Sequence, residues 1–298
     1  PFCRAASVRN LEIIQNPPAF SHFRRRRAAR QHLQPPRFPA VCLCLPMFYT
    51  HRFQANRFEY KYLVSETQAQ AIRAYVKGYL APDDYAVASP DHAYDIHSLY
   101  LDNPQMSLCR ATLDGLRNRV KIRIRFYDQE PTSPVFCEIK RRVNDAISKE
   151  RVAVRRECIP NFLARRWPQR EDLVRPDGRS FDVLRQFCQL RDAFQADQGL
   201  LVSYRREAYV NEANDAVRVT LDRAVTGGHF DEQLRVRPLE ARYQPSVPWV
   251  ILELKFTDRF PVWMRELAWH FNLIRTTMAK YVTCAVSLDR QTRRVLAA

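Results

Sequence analysis

Arg119, Lys121, Arg123 and Arg125 stand at every second position of one short stretch, with Val120, Ile122, Ile124 and Phe126 between them. Four like charges about 6.6 Å apart repel one another unless water, carboxylates or a polyanion lie opposite. A guanidinium fork matches phosphate with two parallel hydrogen bonds, and an ammonium adds a compact point charge. The pattern returns along the chain: Arg57 and Lys61, Lys140 and Arg142, Lys149 and Arg151, then Arg206, Arg218 and Lys255. Few carboxylates accompany these cations: Glu59, Glu138, Asp222 and Glu253. The chemistry on offer is the binding and neutralisation of clustered phosphates.

Strict alternation places such residues on β-strands, because side chains of a pleated strand leave on opposite faces with period two. Residues 57–63, 96–102, 119–127, 134–142, 148–154, 201–210, 217–225 and 250–256 read as strands, the sixth and seventh forming a hairpin around 211–215. The last three place Tyr204 with Arg206, Arg218 with Asp222, and Glu253 with Lys255 on common faces. Ser65 and Gln68 form a capping box ahead of a helix over 69–80. Residues 104–113 predict a short helix. Residues 180–194 predict a longer one with Phe181, Leu184, Phe187 and Leu190 on its apolar side. Helical spacing returns over 262–271 and 277–288, the latter carrying Lys280, while 161–175 is ambiguous. No repeat or internal linker interrupts residues 50–290, so one α+β domain is expected over 47–298.

The 298 residues carry a net charge of +16, and arginine far outnumbers lysine, which points to a polyanionic partner. Nucleic acid, anionic membrane and condensed phosphate all satisfy that requirement. The eight cysteines form no C-x-x-C pair and no zinc spacing with the seven histidines, so reduced, buried thiols in the cytoplasm are expected. The apolar run over 40–49 is short and broken by Pro46, so no transmembrane segment is expected. Residues 1–46, with the run of arginines 24–27, several prolines and no amphipathic period, read as a disordered tail or as upstream sequence ahead of an initiator at Met47. A basic nucleic-acid arm is the alternative for that segment.

Two arrangements of the charged faces are open. An ordinary antiparallel sheet turns such a face to water. Alternatively the sheet closes into a barrel of about eight strands with flanking helices, whose lumen is strongly positive. Such a lumen is intolerable when dry and empty, but holds anions firmly once phosphates enter.

The segments 57–61 (RFEYK), 99–102 (LYLD), 121–125 (KIRIR), 138–140 (EIK), 149–151 (KER), 204–209 (YRREAY), 218–222 (RVTLD), 253–255 (ELK) and 280–281 (KY) follow one another in order. Together they resemble the catalytic domain of the vacuolar transporter chaperone polyphosphate polymerases, within the triphosphate tunnel metalloenzymes. The resemblance covers about residues 52–290, and its order and spacing are more specific than any one motif. It implies a closed antiparallel tunnel and transfer of the terminal phosphate of ATP to inorganic polyphosphate. Carried over, it implies catalytic roles for Lys61, Arg123, Arg125, Lys140, Arg206, Arg218 and Lys280. Lys121, Lys149, Arg151, Tyr204 and Lys255 would bind substrate, and Glu253 would hold a divalent metal, manganese or magnesium. One departure is Arg57, where tunnel hydrolases carry the first glutamate of Glu-x-Glu-x-Lys. Glu59 is then either a metal ligand or the partner of a neighbouring arginine. A tunnel triphosphatase acting on tripolyphosphate or a nucleoside triphosphate, and a non-catalytic polyphosphate-binding module, are the competing expectations. RNA or DNA binding is not expected, because Tyr100, Phe126 and Tyr127 do not form an exposed stacking platform.

Overall fold

A computed structural model describes residues 57–144, 146–211, 216–229, 234–236 and 249–296. The expectations for residues 1–46 lie outside the described residues. The first half of the chain runs β1 (Arg57–Val64), α1 (Glu66–Val76), β2 (Ala81–Pro82), α2 (Asp84–Val87), β3 (Tyr94–Asp102), α3 (Ser107–Leu113) and β4 (Arg119–Phe126). It continues through β5 (Val135–Val143), β6 (Ala146–Val154), α4 (Ile159–Leu163), α5 (Gly178–Ala193), β7 (Gln198–Val210) and β8 (Val217–His229). The last elements are β9 (Val250–Thr257), α6 (Val262–His270), β10 (Arg275–Thr276) and α7 (Lys280–Leu296).

All pairings are antiparallel, in the order β10-β1-β9-β8-β7-β3-β4-β5-β6, with β2 attached to β7. This corrects the expected closed barrel. Among the described residues no backbone pairing joins β6 to β1 or β10, so the ten-stranded sheet is open. Alternation reveals which residues share a face, but closure depends on tilt and shear, which leave no mark on the period-two pattern. The sheet is nonetheless strongly rolled. β1 and β5 are far apart in the strand order, yet Lys140 Nζ lies 3.7 Å from Glu59 Oε2.

Two apolar clusters cover the convex face. Ile122, Ile124, Cys137, Ile139, Val152 and Val154 pack against Phe162 of α4 and Leu184, Phe187 and Cys188 of α5. Tyr62, Val64, Leu252, Leu254 and Phe256 pack against Ile72 and Val76 of α1 and Met264 and Leu267 of α6. Each of these large side chains contributes about 1.5–3 kcal/mol on burial. With the apolar half of each strand committed to the helices, the charged half is left to the concave face. A third cluster sits there: Ile96, Leu200, Val202 and Tyr204 meet Tyr281, Cys284 and Ala285 of α7. The described cysteines, Cys109, Cys137, Cys158, Cys188 and Cys284, are all buried and free, as the spacing predicts.

Two local features set the inner face. Gly199 lies where β7 crosses β3: a Cβ there would stand 2.2 Å from the Tyr100 carbonyl oxygen. A bulge in β8, with Ala224 at φ 49°, shifts the register against β7 between Ser203 and Arg205. The predicted capping box at Ser65 and Gln68 is present. The final helix begins at Lys280, three residues after the predicted start.

Asp102 fastens α3 and α7 to the sheet. It is fully buried and accepts from Leu108 N at 3.0 Å, Cys109 N at 2.8 Å and the Tyr281 hydroxyl at 2.8 Å. In Asp102→Asn the amide hydrogens oppose donors that stay buried. A loss of about 2–4 kcal/mol is expected in urea unfolding, and an unchanged midpoint would rule out this anchoring role.

Candidate functional site

The site is built from strand positions that alternate with the convex cores. On β9, Leu252 and Leu254 face α1 and α6, so Glu253 and Lys255 face inward. Glu253 is only 4% exposed. Its carboxylate meets Lys255 Nζ at 2.6 Å, Lys280 Nζ at 2.8 Å, Arg206 Nη2 at 3.3 Å and Lys61 Nζ at 3.6 Å. Thr220 Oγ1 donates to it at 3.3 Å. Beside it, Asp222 takes a bidentate pair from Arg206 at 2.6 and 2.7 Å and the Lys280 ammonium at 2.5 Å. Burial opposes the charge of both acids, but the surrounding cations prevail and hold both below the ordinary carboxylate range. Burial also pulls the Lys255 ammonium down to about 8 against the opposing pull of Glu253.

A second node lies on β4, β5 and β6. Glu138, 1% exposed, accepts from Arg123 Nε at 2.7 Å and lies 3.0 Å from Lys149 Nζ and 3.6 Å from Arg151 Nε. Arg123 also donates to the Tyr100 hydroxyl at 2.6 Å. Arg125 donates to Ser98 Oγ at 3.2 Å and to the Tyr204 hydroxyl at 3.3 Å. Tyr204 joins the two nodes, since Arg206 and Lys280 lie over its ring at 5.2 and 4.8 Å.

Between the nodes the cross-strand register sets Lys121 opposite Lys140, and Lys140 opposite Lys149. Like charges directly opposite one another destabilise an empty sheet. Lys140 has only Glu59, 3.7 Å away, and among the described residues Lys121 forms no ion pair. Burial brings Lys121 down to about 8; the Tyr100 phenol favours its charge, and Lys140, Lys61 and Arg119 oppose it. Burial would raise the Tyr100 phenol, but Arg123, Arg125 and Lys121 bring it down to about 8.

The structure therefore brings Lys61, Lys121, Arg123, Arg125, Lys140, Lys149, Arg151, Arg206, Tyr204, Glu253, Lys255 and Lys280 to one face. Arg218 stands at its rim, where it donates to Asp83 Oδ2 at 2.6 Å and Tyr94 OH at 3.3 Å. Arg119 and Arg142 turn back on strand ends, to the Leu116 and Asn144 carbonyls, and leave the ladder. Glu59, expected as a metal ligand or as the partner of a neighbouring arginine, pairs with lysines, at 3.0 Å from Lys61 and 3.7 Å from Lys140. Tyr100, Ser98, Glu138 and Asp222 belong to the site beyond the expected set. Glu138 and Asp222 show in the alternation of their strands, and Tyr100 and Ser98 share a strand phase in 96–102 that links them to no cation in the sequence itself.

The donor set also tests the expected metal. Both Glu253 oxygens are held by cations, and among the described residues no three His, Cys, Asp or Glu side chains gather as a metal group. That does not fit a dication held by protein ligands alone. It fits a cation most of whose ligands are phosphate oxygens.

Ten cations around four carboxylates line one face of a rolled antiparallel sheet, with the Arg218–Asp83 pair at its rim, and give that face a strong positive excess. The VTC domain family matches residues 56–288, and the chain belongs to that family. Membership ties it to polyphosphate-related function. None of the curated proteins matches the chain. Among the described residues no helix is long and apolar enough to cross a membrane.

The carboxylate nodes make stability depend on ionisation. Glu59, Glu138 and Asp222 have depressed pKa values, so their contribution is complete above about pH 4.3 and is lost on acidification. Glu138→Gln leaves Arg123, Lys149 and Arg151 without their shared acid. A loss of about 3 kcal/mol is expected in phosphate-free buffer, with much of it restored by tripolyphosphate. Calorimetry with and without that ligand checks both effects.

Proposed function

We propose that the protein is a polyphosphate polymerase-like phosphotransferase, moving the γ-phosphate of ATP onto a polyphosphate chain along the inner face. The observation that carries this reading is the Lys121–Lys140–Lys149 ladder beside two carboxylate nodes. A chain of phosphates supplies negative charge at the spacing that this ladder lacks. Phosphoryl transfer needs little covalent help: it needs in-line positioning and neutralised oxygens.

In this reading Arg123, Arg125 and Arg206, whose guanidinium groups are fixed by Glu138, Tyr204 and Asp222, grip the reacting phosphates without reorganising. Lys61, Lys140, Lys280 and, from the rim, Arg218 add charge around them. Lys121, Lys149, Arg151 and Lys255 hold the polymer, and the Tyr204 hydroxyl donates to an oxygen. A terminal oxygen of the polymer attacks the γ-phosphorus, the bond to the β-bridging oxygen breaks, and ADP leaves. Glu253 would hold manganese or magnesium in company with phosphate oxygens, and the ion would neutralise charge on the transferred group.

Incubation with ATP and manganese, followed by a gel for polymer and an assay for free phosphate, tests the reading. Polymer is expected. Phosphate alone would indicate a triphosphatase, and saturable binding without turnover a binding module. Glu253→Gln is expected to abolish turnover and keep most of the tripolyphosphate affinity; full activity would remove Glu253 from the reaction.

Anion affinity carries a pH signature. Lys121 and Lys255 lose their protons near pH 8 in the free protein, and a bound anion holds those protons on. Tripolyphosphate affinity is therefore expected to fall between pH 7 and 9, by about tenfold per lysine. Lys121→Arg, which does not titrate there, should flatten the decline. Titration calorimetry across that range measures it.

A further inference from the structure

We infer that the aromatic cluster where β3 begins and β4 ends is a stacking subsite for the base of a nucleoside triphosphate. The inference rests on the phosphotransferase reading and names the part of the substrate that the cations leave unaddressed. Tyr85 of α2 stacks on Tyr127, with ring centroids 5.3 Å apart and an interplanar angle of 16°. Tyr94 lies 5.4 Å from Tyr85 and 6.3 Å from Tyr127. Tyr85 is 53% exposed, so more than half of the residue is open to solvent beside the stack. Next to it the Arg151 guanidinium carbon lies over the Phe136 ring, 3.6 Å from its centroid, and the group donates to the Tyr127 hydroxyl at 3.1 Å.

The cluster is continuous with the basic face. Arg151 reaches Glu138 at 3.6 Å on one side and Tyr127 on the other. Tyr127 follows Arg125 by two residues at the end of β4, and Tyr94 is the cross-strand partner of Arg206. Asp83 caps α2 through the Ala86 amide, and it also accepts from the Tyr94 hydroxyl at 2.9 Å and from Arg218 at 2.6 Å. The helix carrying Tyr85 is thus fastened to a cation at the rim of the phosphate site.

A polyphosphate chain has no π face and gains nothing from rings. A nucleotide differs from it by an aromatic base, which stacks on tyrosine or on an arginine plane with about 1–3 kcal/mol per base. Packing of α2 against Tyr94 and Tyr127 leaves more than half of Tyr85 open to solvent. Stacking is tolerant of base identity, so ATP and GTP should bind with similar affinity.

The test compares ATP with inorganic tripolyphosphate by titration calorimetry on the full chain, for wild type, Tyr85→Ala and Tyr85→Phe. Wild type is expected to bind ATP more tightly than loss of one terminal charge allows. Tyr85→Ala should weaken ATP by about 5–150-fold and leave tripolyphosphate unchanged, and Tyr85→Phe should bind both as wild type does. Saturation transfer from tyrosine ring protons to the purine H2 and H8 should be seen in wild type and lost in Tyr85→Ala. Equal effects of Tyr85→Ala on both ligands, or none on either, overturn the subsite while tripolyphosphate binding keeps the phosphate site standing. Binding of neither ligand by wild type overturns both.

Discussion

Repulsion among cations on one face of a sheet is the constraint that the rest of this structure answers. Ten lysine and arginine side chains face inward, and four fixed carboxylates neutralise fewer than half of them. Water could relieve the repulsion if the face were flat and exposed. Here the sheet rolls until β1 and β5 exchange an ion pair, and α7 covers part of the face. The field of the cations is concentrated in the space between. The apolar cores under α1, α4, α5 and α6 lie on the convex side, away from that space.

The carboxylates are placed to organise this charge. Glu138 is shared by Arg123, Lys149 and Arg151, and Glu253 by Lys61, Arg206, Lys255 and Lys280. A buried acid among three or four cations fixes their positions, whereas removing it leaves uncompensated charge. The guanidinium groups are then held before any anion arrives, which is what electrostatic preorganisation requires. Tyr204, touching Arg125 by its hydroxyl and Arg206 and Lys280 by its ring, makes the two nodes one network.

Most of this was legible in the chain. The period-two rows at 119–125, 138–142 and 253–255 showed which side chains share a face, because a pleated strand allows no other arrangement. The capping box at Ser65 and the apolar stripe of 180–194 placed two of the helices that cover the convex side. Closure was not legible: an open and a closed sheet have the same alternation, and only tilt and shear separate them. Nor was the role of Tyr100, whose partner Arg123 lies across a strand pairing that the sequence does not spell out. The short α2 with Tyr85 also escaped notice, since four residues carry too little periodicity to be read.

The pairing of every inward carboxylate bears on which acceptor the site favours. Water attacks phosphorus well only when a base removes its proton or a metal lowers its pKa. Glu59, Glu138, Asp222 and Glu253 are each engaged by lysine or arginine, and these cations outweigh the opposing effect of burial and keep all four ionised but poorly basic. None is free to take up a proton near neutral pH. A phosphate terminus needs no such help, because its second ionisation is complete or nearly so at about pH 7. In the proposed phosphotransferase reading, the same cations that suppress the basicity of the acids would attract this acceptor and hold its charge beside the donor phosphate. Paired acids thus supply no general base for water, and in the proposed reading the same electrostatics would favour an anionic acceptor.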